Sequence, residues 1–170
     1  MPKIKVREQG PRERIKDFDE VALGLTEDEA IEEAKRCLQC KKASCIGSCP
    51  VGIDIPAFID YVSKGEFEKA LSKIREKNSL PAVCGRVCPQ EDQCEKVCVL
   101  VKKEGTVGIG NLERFVADWG FKNKSKIINQ KSKIDKEKAA IIGSGPAGLT
   151  CAGDLAKMGY EVTLFESLHL

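Results

Sequence analysis

The sequence predicts a mainly α-helical, cysteine-bearing module followed by the first β-α-β unit of a parallel α/β domain. Three observations carry that prediction. Eight of the nine cysteines fall between Cys37 and Cys98, within a stretch whose apolar residues recur at helical spacing. A Lys-rich, low-complexity segment follows (KNKSKIINQKSKIDKEK from Lys122 to Lys138), of the kind that forms a solvated linker. The chain then reads apolar run, glycine turn, helical pattern and second apolar run. Residues 1–120 are therefore expected to form the helical module, 121–138 the linker and 139–170 the opening of the α/β domain.

Taken in order, residues 1–25 form a charged arm with the helix-breaking pair Gly10-Pro11 and no strong period, so they stay unassigned. Thr26 and Glu29 form a capping box, in which hydroxyl and carboxylate satisfy free amide N–H groups at a helix start. Ala30, Ile31, Ala34, Cys37 and Leu38 then follow at helical spacing, so this helix is expected to deliver the first cysteines on its last turn. Asp54 can cap a helix beginning near Pro56, and Gly65 ends it before a second helical run from Glu66 to about Lys77. The segment from Cys84 to Cys98, broken by Gly85 and Pro89, is expected to begin as loop and then turn helical. Gly105, Gly108 and Gly110 lead into a short amphipathic helix, Asn111 to Trp119. A module this small with few large apolar side chains needs additional staples.

With 42% hydrophobic and 32% charged residues over 170 positions, the chain is not a disordered tail. A net charge of +2 excludes a globally basic nucleic-acid binder. That balance conceals a division: net −1 over residues 1–120, +5 over 121–138 and −2 over 139–170. The first thirty residues hold neither the apolar run of a signal peptide nor a membrane span, so the chain reads as cytoplasmic, with no membrane partner. In a reducing compartment, clustered thiols act as metal ligands or redox groups more often than as a disulfide framework.

The first cysteine group is Cys37, Cys40, Cys45 and Cys49-Pro50; the second is Cys84, Cys88-Pro89, Cys94 and Cys98. Short gaps let several thiolates converge on an inorganic centre without a large core. The closing Cys-Pro resembles bacterial ferredoxin runs, in which the fourth cysteine ligates the other cluster. By that logic Cys37, Cys40 and Cys45 hold one [4Fe-4S] cluster and Cys49 belongs to a second. Spacing leaves Cys84 open between eighth ligand and small packing residue. Zinc is the main rival, but structural zinc favours paired Cys-x2-Cys knuckles, and here Cys37 and Cys40 alone make one.

After the strand candidate Ala139 to Ile142 comes Gly143-Ser144-Gly145-Pro146-Ala147-Gly148, then a helical pattern to Met158, then Val162 to Phe165 with Glu166 at its end. This is G-x-G-x-x-G in the strand–turn–helix–strand context that a dinucleotide site requires. The glycines allow a tight turn and close approach to pyrophosphate, the helix N-terminus stabilises the phosphates, and Glu166 can bind a ribose hydroxyl. Cys151, in the helix after the turn, is expected to be a small packing residue. A β-α-β unit of about thirty residues cannot complete a doubly wound sheet. The sequence thus reads as a truncated piece expected to be inactive alone.

Arg36-Cys37-Leu38-Gln39-Cys40, Cys45-x3-Cys49-Pro50, Gly85-Arg86-Val87-Cys88-Pro89-Gln90, Gly110-Asn111-Leu112-Glu113-Arg114-Phe115 and GSGPAGL together resemble the glutamate synthase small-subunit family, over nearly the whole chain after about residue 12. That family includes the NADPH-oxidising subunit of glutamate synthase, the large subunit of NADH-dependent ferredoxin:NADP oxidoreductase and the amino-terminal part of dihydropyrimidine dehydrogenase. The resemblance implies a helical ferredoxin-like domain with two [4Fe-4S] clusters, followed by a Rossmann-like FAD domain and an NAD(P)H site beyond this sequence. It implies one cluster on Cys37, Cys40, Cys45 and Cys98. The other would be held by Cys49, Cys88, Cys94 and a non-cysteine ligand, glutamine in dihydropyrimidine dehydrogenase and aligned with Glu113 here, which leaves Cys84 as a packing residue. The implied role is the amino-terminal electron-transfer part of an NAD(P)H-dependent oxidoreductase, in which hydride passes to flavin and single electrons to the clusters. The implied partner is a second redox subunit, the glutamate synthase large subunit or a ferredoxin-linked one. A zinc-stabilised adaptor without redox chemistry is the distant alternative.

Overall fold

The structure, a computed structural model, describes residues 2–103, 105–123 and 137–168. It divides into two units, residues 1–123 and 124–170, so most of the Lys-rich linker lies outside the described residues.

The first unit is helical: α1 (Glu27–Lys35), α2 (Ser44–Gly47), α3 (Ile55–Ser63), α4 (Phe67–Arg75), α5 (Pro81–Val87) and α6 (Ile109–Lys122). Local chemistry sets the helix ends. Thr26 accepts from the Glu29 amide while Glu29 accepts from the Thr26 amide, completing the capping box at α1. Asp54 caps α3 through the Ala57 amide, and Gly65, at φ +72°, turns the chain between α3 and α4. The core lies where α1, α3, α4 and α6 meet. Phe58, Ile59, Val62, Leu71, Ile74, Leu112 and Val116 are fully or almost fully buried. Phe67 packs edge-on to Phe115, with ring centroids 5.1 Å apart, and tilts against Trp119 at 5.5 Å.

Three features differ from the sequence expectations. The second cysteine group opens on a helix, since Pro81 at a first-turn position of α5 presets the backbone, and residues 89–103 then run through turns. Helix α6 begins two residues before the expected start and continues to Lys122. The charged arm is ordered by contacts remote in sequence. Glu8 bridges Ala22 antiparallel, the Ile4 amide donates to Glu33 Oε2 at 2.8 Å, and Arg114 donates to Glu20 and to the Ala22 carbonyl.

Gly85 explains why α5 carries a glycine in its interior. A Cβ there would lie 2.6 Å from the Arg114 backbone nitrogen and 2.8 Å from its Cα, so α5 and α6 can touch at this depth because no side chain intervenes. Gly85→Ala is expected to push the helices apart and cost about 2–3 kcal/mol. Urea unfolding should show this as a lowered midpoint with an unchanged slope; an unchanged midpoint would show that the two helices adjust freely.

The second unit pairs β1 (Lys138–Ile142) with β2 (Glu161–Phe165) in parallel, Lys138 opposite Glu161 and Ile142 opposite Phe165. Helix α7 (Pro146–Met158) makes the crossover, and Gly159 ends it at φ +100°. No helix among the described residues is long and apolar enough to cross a membrane.

Candidate metal centres and glycine turn

The cysteines of the first unit line two cavities. Cys37, Cys40, Cys45 and Cys98 line the first. Cys37 follows the end of α1, where its amide bonds the Ala34 carbonyl. Gln39 adopts φ +48° and donates its side-chain amide to the Pro56 carbonyl at 3.0 Å, turning the chain so that Cys37 and Cys40 reach one cavity. Cys45 comes from α2, and Cys98 from the turns after α5. The remaining wall is mostly apolar, including Ile59, Val107 and Leu100.

Cys49, Cys84, Cys88, Cys94 and Glu113 line the second cavity, with Asn78 and Gln90 among its polar neighbours. Each cysteine group thus contributes to both cavities. Ile55 at the start of α3 and Ile109 at the start of α6 line both, and each is nearly fully buried, so together they form the partition between them.

All nine cysteines are free thiols. Burial pushes Cys45 up to about 11, with Cys37 and Cys98 adding to it. Burial likewise raises Cys88 to about 11, reinforced by Cys84, and Cys94 to about 12, reinforced by Glu95. Thiols in such surroundings hold their protons until a metal takes their place. Among the described residues, no three Cys, His, Asp or Glu groups stand together as a set for one ion. The thiols line two cavities, and sulfur-rich donor sets of this kind suit iron–sulfur ligation.

Glu113, on α6, faces the second cavity with 7% exposure. Burial raises its carboxyl to about 7, opposed by a hydrogen bond from Asn78 Nδ2 to Oε1 at 2.7 Å. Cys84 is half-buried, lines the same cavity, and donates through Sγ to Asn78 Oδ1 at 3.7 Å. Sequence reasoning missed Asn78 altogether, and read Gln90 only as part of a motif. Gln90 Nε2 donates to the Cys84 carbonyl at 3.3 Å, and Gly110 leaves room for it, since a Cβ there would lie 2.3 Å from that nitrogen.

In the second unit, Gly143 takes φ +95°, and a Cβ on Gly148 would fall 2.0 Å from the Gly143 carbonyl oxygen, so strand and helix meet through a glycine. Gly145 is the N-cap of α7 and Pro146 opens the helix. A Cβ on Gly143 or Gly145 would meet nothing within 4 Å, which leaves the turn open to a phosphate at the helix N-terminus. Glu166 Oε2 accepts from Ser144 N at 2.7 Å and from Ser144 Oγ at 2.5 Å, while Oε1 accepts from the amides of Ser167 and Leu168. The Ser144 hydroxyl first, then these amides, hold its carboxyl down to about 2. Ala147 lies in the first turn of α7, and Cys151, expected to pack, is exposed.

Residues 14–125 match the family described as dihydropyrimidine dehydrogenase domain II, 4Fe-4S cluster. Residues 141–169 match an NAD(P)-binding Rossmann-like domain. The putative oxidoreductase UacF of Escherichia coli K12 is 41% identical over 155 residues, 91% of this chain and 24% of its own length. The NAD-dependent dihydropyrimidine dehydrogenase subunit PreT of the same organism is 40% identical over 149 residues, 88% of this chain and 36% of its own length. The NADPH glutamate synthase small chain of E. coli K12 is 38% identical over 150 residues, 88% of this chain and 32% of its own length. The chain thus spans about a quarter to about a third of these relatives. A 4Fe-4S domain precedes the start of an NAD(P)-binding one, and the chain belongs to the dihydropyrimidine dehydrogenase domain II, 4Fe-4S cluster, family, with oxidoreductases as its relatives.

Proposed function

We propose that this chain is the iron–sulfur, electron-transfer part of an NAD(P)H-dependent flavoprotein oxidoreductase of the glutamate synthase small-chain kind, passing electrons between FAD and two [4Fe-4S] clusters and on to a second redox subunit. The domains would be residues 1–120 for the clusters, 121–138 as linker and 139–170 as the start of the FAD domain. What supports this reading most is the division of the thiols between two cavities, each lined from both cysteine groups.

In this assignment Cys37, Cys40, Cys45 and Cys98 hold one cluster; Cys49, Cys88, Cys94 and Glu113 hold the other. When bound, the clusters supply one-electron transfer and the flavin links it to hydride chemistry. The chain itself fixes positions and excludes water. Ile55, Ile59, Val107 and Ile109 keep the first cavity apolar, and Ile53, Ile55 and Phe58 do so for the second. At the glycine turn, residues 143–148 with the N-terminus of α7 receive the cofactor's pyrophosphate. Glu166, whose Oε2 accepts from Ser144, would be the residue that holds a ribose hydroxyl.

Protein purified without oxygen should contain about eight irons and about eight acid-labile sulfides per chain. Stoichiometric zinc without sulfide, in a colourless protein, would overturn the reading in favour of a structural adaptor.

A further inference from the structure

Five donors line the second cavity, Cys49, Cys84, Cys88, Cys94 and Glu113, while a four-iron cube accepts four protein ligands. One donor must be kept out. We propose that Asn78 is the positioning residue that assigns the fourth iron to Glu113 and holds Cys84 in reserve. This rests on the iron–sulfur reading of that cavity given above.

Asn78 lies in the turn after α4, its amide bonded to the Ile74 carbonyl at 2.9 Å, and is 6% exposed. The orientation of its side-chain amide is fixed by its neighbours. The Leu80 backbone N–H donates to Oδ1 at 2.9 Å. A backbone N–H needs an acceptor, so the oxygen points toward Leu80 and the NH2 group toward the other side. There Nδ2 donates to Glu113 Oε1 at 2.7 Å. One carboxylate oxygen is thereby occupied, which sets Glu113 up as a ligand through the other alone.

The same Oδ1 faces Cys84 Sγ at 3.7 Å. That contact holds the Cys84 side chain against Asn78. Asn78 therefore prepares one competitor and restrains the other. Loss of its amide would free both: Cys84 would replace Glu113 as the ligand of the fourth iron, an iron–sulfur bond taking the place of the iron–oxygen bond and the thiol hydrogen passing to the released carboxylate. Charge is conserved and no electron is transferred.

The test uses the holo protein, with Mössbauer spectra, midpoint potentials and iron analysis. In the unsubstituted protein one iron of the second cluster should differ from its three neighbours, because oxygen is a harder ligand than sulfur. In Asn78→Ala that distinct iron should disappear with iron content unchanged, the potential of that cluster should shift, and Asn78→Ala combined with Cys84→Ala should restore the distinct iron. An Asn78→Ala protein with full iron and an unaltered spectrum and potential overturns the proposal. So does an all-sulfur spectrum in the unsubstituted protein, which would make Cys84 the standing ligand. If Asn78→Ala takes up no iron, Glu113→Ala decides: retention of about eight irons with an all-sulfur signature supports Cys84 as the reserve, and loss of about four overturns it. Failure of the iron–sulfur reading itself would be recognised separately, by absence of iron and sulfide from the unsubstituted protein.

Discussion

Glu33→Gln is expected to destabilise the helical unit by about 3–5 kcal/mol, the range for breaking a buried ion pair by removing one partner. The Glu33 and Arg36 side chains are 1% and 2% exposed and pair at 2.6 Å. This carboxylate faces donors. Oε1 accepts from Arg36 and from the Gly108 amide at 2.8 Å, and Oε2 accepts from the Ile4 amide at 2.8 Å. A glutamine would set its own NH2 group against one of these donors and take away the negative charge that Glu33 presents to the guanidinium. Arg36 in turn donates to the carbonyls of Gly105 and Thr106, so the pair fixes the loop that carries Val107 into the first cavity. Chemical unfolding of the variant should show the loss, whereas a cost under about 1 kcal/mol would mean that the pair is as dispensable as a surface one.

Cys98→Ala should reduce the iron content from about eight to about four per chain, with sulfide falling in parallel. Its thiol lies with Cys37, Cys40 and Cys45 around the first cavity, whereas Cys94, four residues earlier, lies on the second. The deficit should therefore fall on one cluster alone, leaving the spectrum of the other in place. The unit should also become less stable, because metal binding contributes directly to folding when the thiols are otherwise protonated and buried. Cys151→Ala, in the other unit, should leave iron and stability unchanged. Full iron content in Cys98→Ala would remove Cys98 from the ligand set and with it the assignment of the first cavity.

What could be read from the sequence was what depends on near neighbours. Thr26 with Glu29, and Asp54 with Ala57, are contacts three residues apart, and both form as their residue types dictate. The glycine turn was equally legible because β1, the turn and the start of α7 are contiguous. The division of the thiols between two cavities was not available from spacing beyond Cys49; the expectation for Cys98, Cys88, Cys94 and Glu113 came from family resemblance. Asn78 left no signal, since an asparagine after a helix is an ordinary turn residue and its partner Glu113 is 35 positions away. The charged arm was opaque for the same reason, its order depending on Glu33, Arg86 and Arg114. Gly85 misled: a helix breaker by propensity, it is retained because Arg114 leaves no space for a side chain.

The interleaving of the two cysteine groups also imposes a schedule on biogenesis. A chain leaving the ribosome presents Cys37, Cys40 and Cys45 early, yet the first cavity has no fourth wall until Cys98 emerges. The second waits for α6 and Glu113. In the proposed ligand assignment, neither centre can be finished by the nascent amino-terminal half, and maturation must act on a nearly complete helical unit. Until then, seven or more oxidisable thiols are held only by partly folded chain, which makes the interval between synthesis and cluster insertion the period of greatest exposure to oxygen.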